Sequence, residues 1–208
     1  MKSATLPMAF AALMLAACTG SLFKTKAVPP TMYMLSASQN FPRPNTSSLV
    51  TAPELAVLKP RVRAGLDTDR IAALYPDRRV DYFADARWSG PLDEVLQDLA
   101  VQEFRSHSAL RNVSADASIF PSTHWLEIEV TDFQAEYSAA GGAPTVHVRL
   151  QARIGNSGDR HILAHFGPDI RELATDNRMS AIVDAYSRAA SKAFAEIAEG
   201  ALQALGAK

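Results

Sequence analysis

The apolar residues of this chain change period along its length, and that change limits the folds open to it. In Leu126-Glu127-Ile128-Glu129-Val130 apolar residues alternate strictly with acids. That is the pattern of a strand with one buried and one wet face. Val146 to Ile154 repeats it, with His147, Arg149, Gln151 and Arg153 on the polar side. From Arg178 to Leu205 the spacing becomes helical, with Met179, Ile182, Val183, Tyr186, Ala190 and Phe194 opening a stripe that continues to Leu205. At 1.5 Å per residue this predicts a helix about 40 Å long, whose alanines allow close approach to a sheet.

The rest of the chain supplies shorter elements. Met32 to Leu35, Leu55 to Leu58 (closed by Pro60) and Val80 to Ala84 predict strands, and Ile71 and Leu74 begin another that Pro76 interrupts. Pro42, Pro44 and Pro53 mark residues 40–53 as a loop. Ser89-Gly90-Pro91-Leu92 predicts a helix start, with Ser89 as cap, Pro91 in the first turn and Asp93 and Glu94 favoured by the dipole. Leu92, Val95, Leu96, Leu99 and Ala100 then follow at helical spacing. Phe133 and Tyr137 continue the first alternating strand on the opposite parity, which places a bulge near Thr131-Asp132. Gly155-Asn156-Ser157-Gly158 turns the chain, and Ile162, Ala164 and Phe166 share one face of the returning strand. This order predicts an α+β fold: a mainly antiparallel sheet with two helices packed on one face, the C-terminal helix long.

The beginning of the chain bears on where it works. Lys2, then an apolar run from Leu6 to Leu15, then small residues form the layout of a secretory signal. The segment Leu15-Ala16-Ala17-Cys18 resembles the lipobox of bacterial lipoproteins, which implies lipidation at Cys18 after removal of residues 1–17. Residues 18–30 are then the lipidated cysteine and a tether, and residues 31–208 a single domain. A dozen flexible residues reach roughly 20 Å. Thr19, where Asp would favour retention, implies passage to the outer membrane by resemblance to the enteric sorting rule. Several acyl chains on one cysteine make a durable anchor.

An apolar fraction of 48% and a charged fraction of 21% suit one globular domain. The net charge of −1 gives no basic face for nucleic acid. Cys18 is the one cysteine, so neither an intrachain disulfide nor a cysteine metal site is available. No serine lies in a Gly-x-Ser-x-Gly elbow and no Gly-Lys-Ser/Thr phosphate loop is present, so the expectation is a non-enzyme without cofactor or metal. The carboxylate pairs Asp67/Asp69 and Glu94/Asp98 fit a turn and a solvated helix face. His147, His161 and His165 fall on the polar side of adjacent strands. A three-residue turn would set His147 opposite His165 as two zinc ligands without a third, so a solvated face is favoured. Trp88 suits either an interface anchor or a staple of helix to sheet. The mixed charge around Arg149 and Arg153 suits a reversible or symmetric protein contact, with a partner or in a homo-oligomer, better than a lipid pocket.

Together these pieces resemble the ABC-type transport auxiliary lipoproteins typified by paraquat-inducible protein C. The resemblance rests on the lipobox, Tyr33-Met34-Leu35, Leu66-Asp67-Thr68-Asp69-Arg70-Ile71, and Arg87-Trp88-Ser89-Gly90-Pro91-Leu92 with Leu96 and Leu99. It is completed by the Leu-x-Ile-x-Val strand ending in Phe133 and by the long last helix. It implies a periplasm-facing lipoprotein that serves an ABC transporter with a mammalian-cell-entry type lipid-binding subunit, moving lipid between inner and outer membranes. The ATPase is then another polypeptide. A different class remains open, an outer-membrane assembly factor that supports or plugs a β-barrel, as in lipopolysaccharide export.

Overall fold

A computed structural model describes residues 29–36, 52–107, 109–115 and 121–206. The signal segment, Cys18, the tether up to residue 28 and most of the 40–53 loop lie outside the described residues.

The sheet is organised around β7 (His124–Glu136) and its antiparallel neighbour β8 (Thr145–Asn156). In both strands the alternation seen in the sequence becomes a division of faces. Leu126, Ile128, Val130, Val148, Leu150 and Ile154 are fully buried on one side. Glu127, Glu129, Arg149, Gln151 and Arg153 line the other. The register shifts between Val130 and Asp132, where the bulge was expected, and this returns Phe133 to the buried face.

The other edge of β7 is filled by three short strands arriving in chain order, all parallel to it: β2 (Glu54–Val57), β3 (Arg61–Val62) and β4 (Arg70–Leu74). Val57 stands beside Leu126, Val62 beside Val130 and Ala73 beside Ala135. Two interruptions divide what would be one strand. Pro60 has no N–H to give a ladder. Gly65, at φ +89°, turns the 63–69 loop in a conformation that side chains disfavour. The gap this leaves beside β7 is patched locally, for Gln134 Oε1 accepts from the Phe133 N–H at 2.8 Å.

Beyond β4 lie β5 (Val80–Trp88), antiparallel, and β1 (Thr31–Tyr33), parallel to β5. β6 (Asn112–Ser114) extends β2 in parallel. β9 (Ile162–Phe166) and β10 (Asp169–Leu173) both pair with β8, antiparallel. The α+β class holds, but the ten-stranded sheet is mixed, with β7 paired in parallel along one edge and antiparallel along the other. The physical reason is the crossover. Between β4 and β7 the chain makes β5, a helix and β6, and a connection of that length with a helix brings strands back parallel.

The helices are α1 (Leu92–Arg105) and α2 (Met179–Ala204). They touch each other, α1 covering β2, β3 and β6, and α2 covering β8, β9 and β10. Ser89 does not cap α1. Its N–H donates to the Tyr33 carbonyl, extending the β1–β5 ladder. The orphan Leu92 N–H instead finds the Thr68 carbonyl at 3.2 Å, while Asp93 Oδ1 accepts from the Glu94 N–H at 2.8 Å. The core closes on three rings. Trp88 meets Phe133 at 5.9 Å and Tyr186 at 5.1 Å, both edge-on, and Tyr186 donates its hydroxyl to the Ala72 carbonyl at 2.9 Å. Burial pushes the Tyr186 hydroxyl well above its ordinary pKa, so it stays a donor.

Candidate interaction surface

The face of β7 and β8 away from the helices carries Arg149 and Arg153, the two arginines singled out in the sequence. Arg153 Nε donates to Glu127 Oε2 at 2.6 Å, and Arg61 from β3 approaches the other oxygen of that carboxylate at 2.9 Å. The hydrogen bond from Arg153 holds Glu127 below its usual pKa. Arg149 donates from Nε and Nη2 to Asp169 Oδ2, at 2.9 and 2.6 Å, and lies 3.6 Å from Asp132. Both arginines keep roughly two fifths of their side chains open to solvent, so they are ordered by partners yet reachable.

His147 is the centre of the cluster that includes Arg149 and Asp169. Only 3% exposed, it bridges three strands: Nδ1 lies 2.8 Å from Glu136 Oε1 on β7, and Nε2 lies 2.7 Å from Asp169 Oδ1 on β10. Arg171 donates to the second oxygen of Glu136 at 2.6 Å. Burial alone would raise the Glu136 pKa; hydrogen bonds from Arg171, His147 and Gln134 together outweigh it and hold the carboxyl low. At Asp169 the Arg149 hydrogen bond is the main cause of a lowered pKa. The arrangement fixes the positions of Glu136, Asp169, Arg149 and Arg171 across a wet sheet.

Three expectations are corrected. Trp88 is 1% exposed, and no partner can reach it in this fold. Its ring is consumed by Phe133 on the sheet and Tyr186 on α2, so it ties sheet to helix. The histidines do not meet. The hairpin loop after β8 is longer than three residues, which sets His165 beside Arg153, while His147 stands between Gln134 and Arg171. His147 is also buried rather than solvated. Among the described residues no group of three or more His, Cys, Asp or Glu is placed to hold a metal ion. Asp169 and Arg171 escaped the sequence reading because β10, Asp-Ile-Arg-Glu-Leu, presents only one apolar residue to the core between two charged ones. Glu94 and Asp98 are exposed on α1, and Lys59 pairs with Glu94 at 3.3 Å.

At the other end of this face the loops around β4 frame an open groove of about 620 Å³, lined among others by Arg63, Leu74, Tyr75, Arg78, Tyr82 and Tyr137. Tyr75 and Tyr137 stack at 5.2 Å, and the Arg79 guanidinium lies over the Tyr75 ring at 4.4 Å. Near β9 the indole of Trp125 packs against Gly155. A Cβ there would sit 2.3 Å from the ring, so only glycine fits against it.

A mixed sheet backed by two helices and faced by a fixed charge lattice defines an α+β domain. The chain belongs to the family of ABC-type transport auxiliary lipoprotein components, whose model matches residues 33–198. Solved structures carry the same fold. A DUF330-family protein from Xanthomonas campestris is 22% identical with a TM-score of 0.70, covering 85% of this chain and 96% of its own. An uncharacterized protein is 16% identical with a TM-score of 0.66, covering 84% and 99%. A hypothetical protein from Chlamydia trachomatis is 10% identical at a TM-score of 0.50, covering 76% and 100%. A search of curated proteins finds no match.

Proposed function

We propose that this auxiliary lipoprotein is anchored through Cys18 in the outer membrane, faces the periplasm, and serves a mammalian-cell-entry type ABC lipid transporter by docking rather than by carrying lipid. It acts without turnover. The observation that carries this reading is the lattice of Glu127, Asp132, Glu136, His147, Arg149, Arg153, Asp169 and Arg171 on the open sheet face. Fixed, mixed charges at partial exposure give orientation and specificity to a reversible protein contact. A lipid site is mostly apolar. Between helices and sheet, the place a lipid would occupy, Ala185, Ala189, Ala193 and the Trp88–Phe133–Tyr186 cluster are packed at 0–1% exposure.

The test is co-purification of the full chain from detergent extracts. The expected companion is the lipid-binding transporter subunit, lost when Arg149→Glu and Arg153→Glu are combined while the circular dichroism spectrum is unchanged. Recovery of a barrel protein instead would favour the assembly-factor class. A monomer that retains stoichiometric phospholipid would overturn docking. Palmitate labelling that persists in Cys18→Ala would remove the anchor.

A further inference from the structure

β9 and β10 behave as one edge strand in two parts. Phe166 stands beside Ala152 and Asp169 beside Arg149, so the register against β8 is unbroken across Gly167 and Pro168. The Leu150 N–H still donates to the Pro168 carbonyl at 3.0 Å. From His161 to Leu173 exposure alternates without a slip, every odd-numbered residue being exposed. Even-numbered Pro168 and Ala174 make their backbone bonds toward β8 and Pro144. In an antiparallel ladder the intervening residues face the opposite way. His165, Gly167, Asp169 and Arg171 therefore turn their N–H and C=O groups outward. Among the described residues no strand pairs with this edge.

Sheet edges are usually protected by outward charge or proline. Here the one proline gives up an N–H on the β8 side, so the outward donors remain. The charged side chains do not guard the edge either. Asp169 and Arg171 are drawn onto the sheet face by Arg149, His147 and Glu136, and Glu172 is held by Lys192 and Arg188 of α2. What flanks the edge is apolar: Leu163 is 40% exposed and Leu173 64% exposed, equally far on either side of Pro168.

We propose that this edge pairs antiparallel with the same edge of a second copy, about a two-fold axis at Pro168, joining the two sheets into one. The pattern is self-complementary about that residue. Gly167 faces Asp169 of the second copy and His165 faces its Arg171, both pairs using outward backbone groups. Leu163 then lies beside Leu173 of the second copy on the wet face, and Phe166 beside its Ile170 on the helix face. Apolar cross-strand neighbours on both faces stabilise a register. A two-fold contact closes on itself and does not polymerise.

Disulfide trapping in the full-length chain tests the register. Opposed residues of an antiparallel ladder are about 4.5–5.5 Å apart at Cα, within reach of a disulfide. Leu163→Cys and Leu173→Cys, made separately, are oxidised alone and as a mixture, with the unsubstituted chain, whose single cysteine is Cys18, as control. The expected result is a covalent dimer in the mixture and none from either variant alone. Light scattering in detergent should show the dimer mass. Leu163→Lys combined with Leu173→Lys should weaken association at least about tenfold, the effect of ~1.4 kcal/mol. Pairing Leu163→Lys with Leu173→Glu in one chain should restore it. A monomer at every concentration, equal cross-linking of each variant with itself, or association indifferent to the lysines would overturn the proposal.

Discussion

The two faces of β7 and β8 are made from alternate residues of the same strands, yet they are held in different ways. On the helix side every large side chain is sealed, and stability comes from removing apolar surface from water. On the open side nearly every polar group has a charged partner at partial exposure, where single ion pairs contribute little to stability. What the open face gains is position. Arg149, Arg171, Glu136 and Asp169 are pinned through one buried histidine, at small energetic return. The difference teaches that the helix side maintains the fold, while the open side holds its charges in place, as the proposed docking needs.

Substitutions on the two faces should separate these roles. Trp88→Ala removes the ring that both Phe133 and Tyr186 touch. It should cost about 3–5 kcal/mol in urea unfolding, the largest single effect in the domain. A cost below about 1 kcal/mol would break the contrast between faces. His147→Ala leaves two carboxylates facing the space of one imidazole. About 1–3 kcal/mol is expected, with a loss of partner binding larger than that loss of stability suggests.

The smallest effect should be the pH dependence carried by the open face. Glu127, Glu136 and Asp169 all titrate below their ordinary values in the folded state. Their contribution is therefore present above the unfolded carboxylate pKa and is lost as pH falls through the lower folded values. Urea midpoints followed from about pH 7 to about pH 3 should decline, and Asp169→Asn should make that decline shallower. An acid slope unchanged in Asp169→Asn would mean that Asp169 contributes nothing to it.

Much of the helix side was legible because burial leaves a period. α2 begins and ends within a residue of its predicted span, the bulge in β7 falls where Phe133 changes parity, and α1 begins at Leu92. Three kinds of feature were not legible. The parallel pairings of β2, β3 and β4 depend on where the crossover returns, which no local pattern encodes. Ser89 looks like a cap in isolation, but the helix begins at Leu92 with Pro91 in the cap position, and the Thr68 carbonyl accepts from the Leu92 N–H out of a distant loop. His147 falls on the polar side of the alternation, between Thr145 and Arg149, so its burial depended on Glu136 and Asp169, brought to it by strand register alone. Arg149 and Arg153 could be placed on a face from alternation, whereas their partners could not.

The broken strand along β7 also sets an order of events. Glu54 is bonded to Thr123, 69 residues later, and although β4 pairs locally with β5 and β2 with β6, these pieces are joined into one sheet only by β7. Contacts this distant in sequence must wait for a long loop to close. The earlier part of the chain therefore holds only local pairings until β7 arrives to join β2, β3 and β4 along one edge. If the chain is exported unfolded, as the proposed anchoring through Cys18 entails, lateness of this kind would keep the leading part pliable during passage and postpone compaction to the far side.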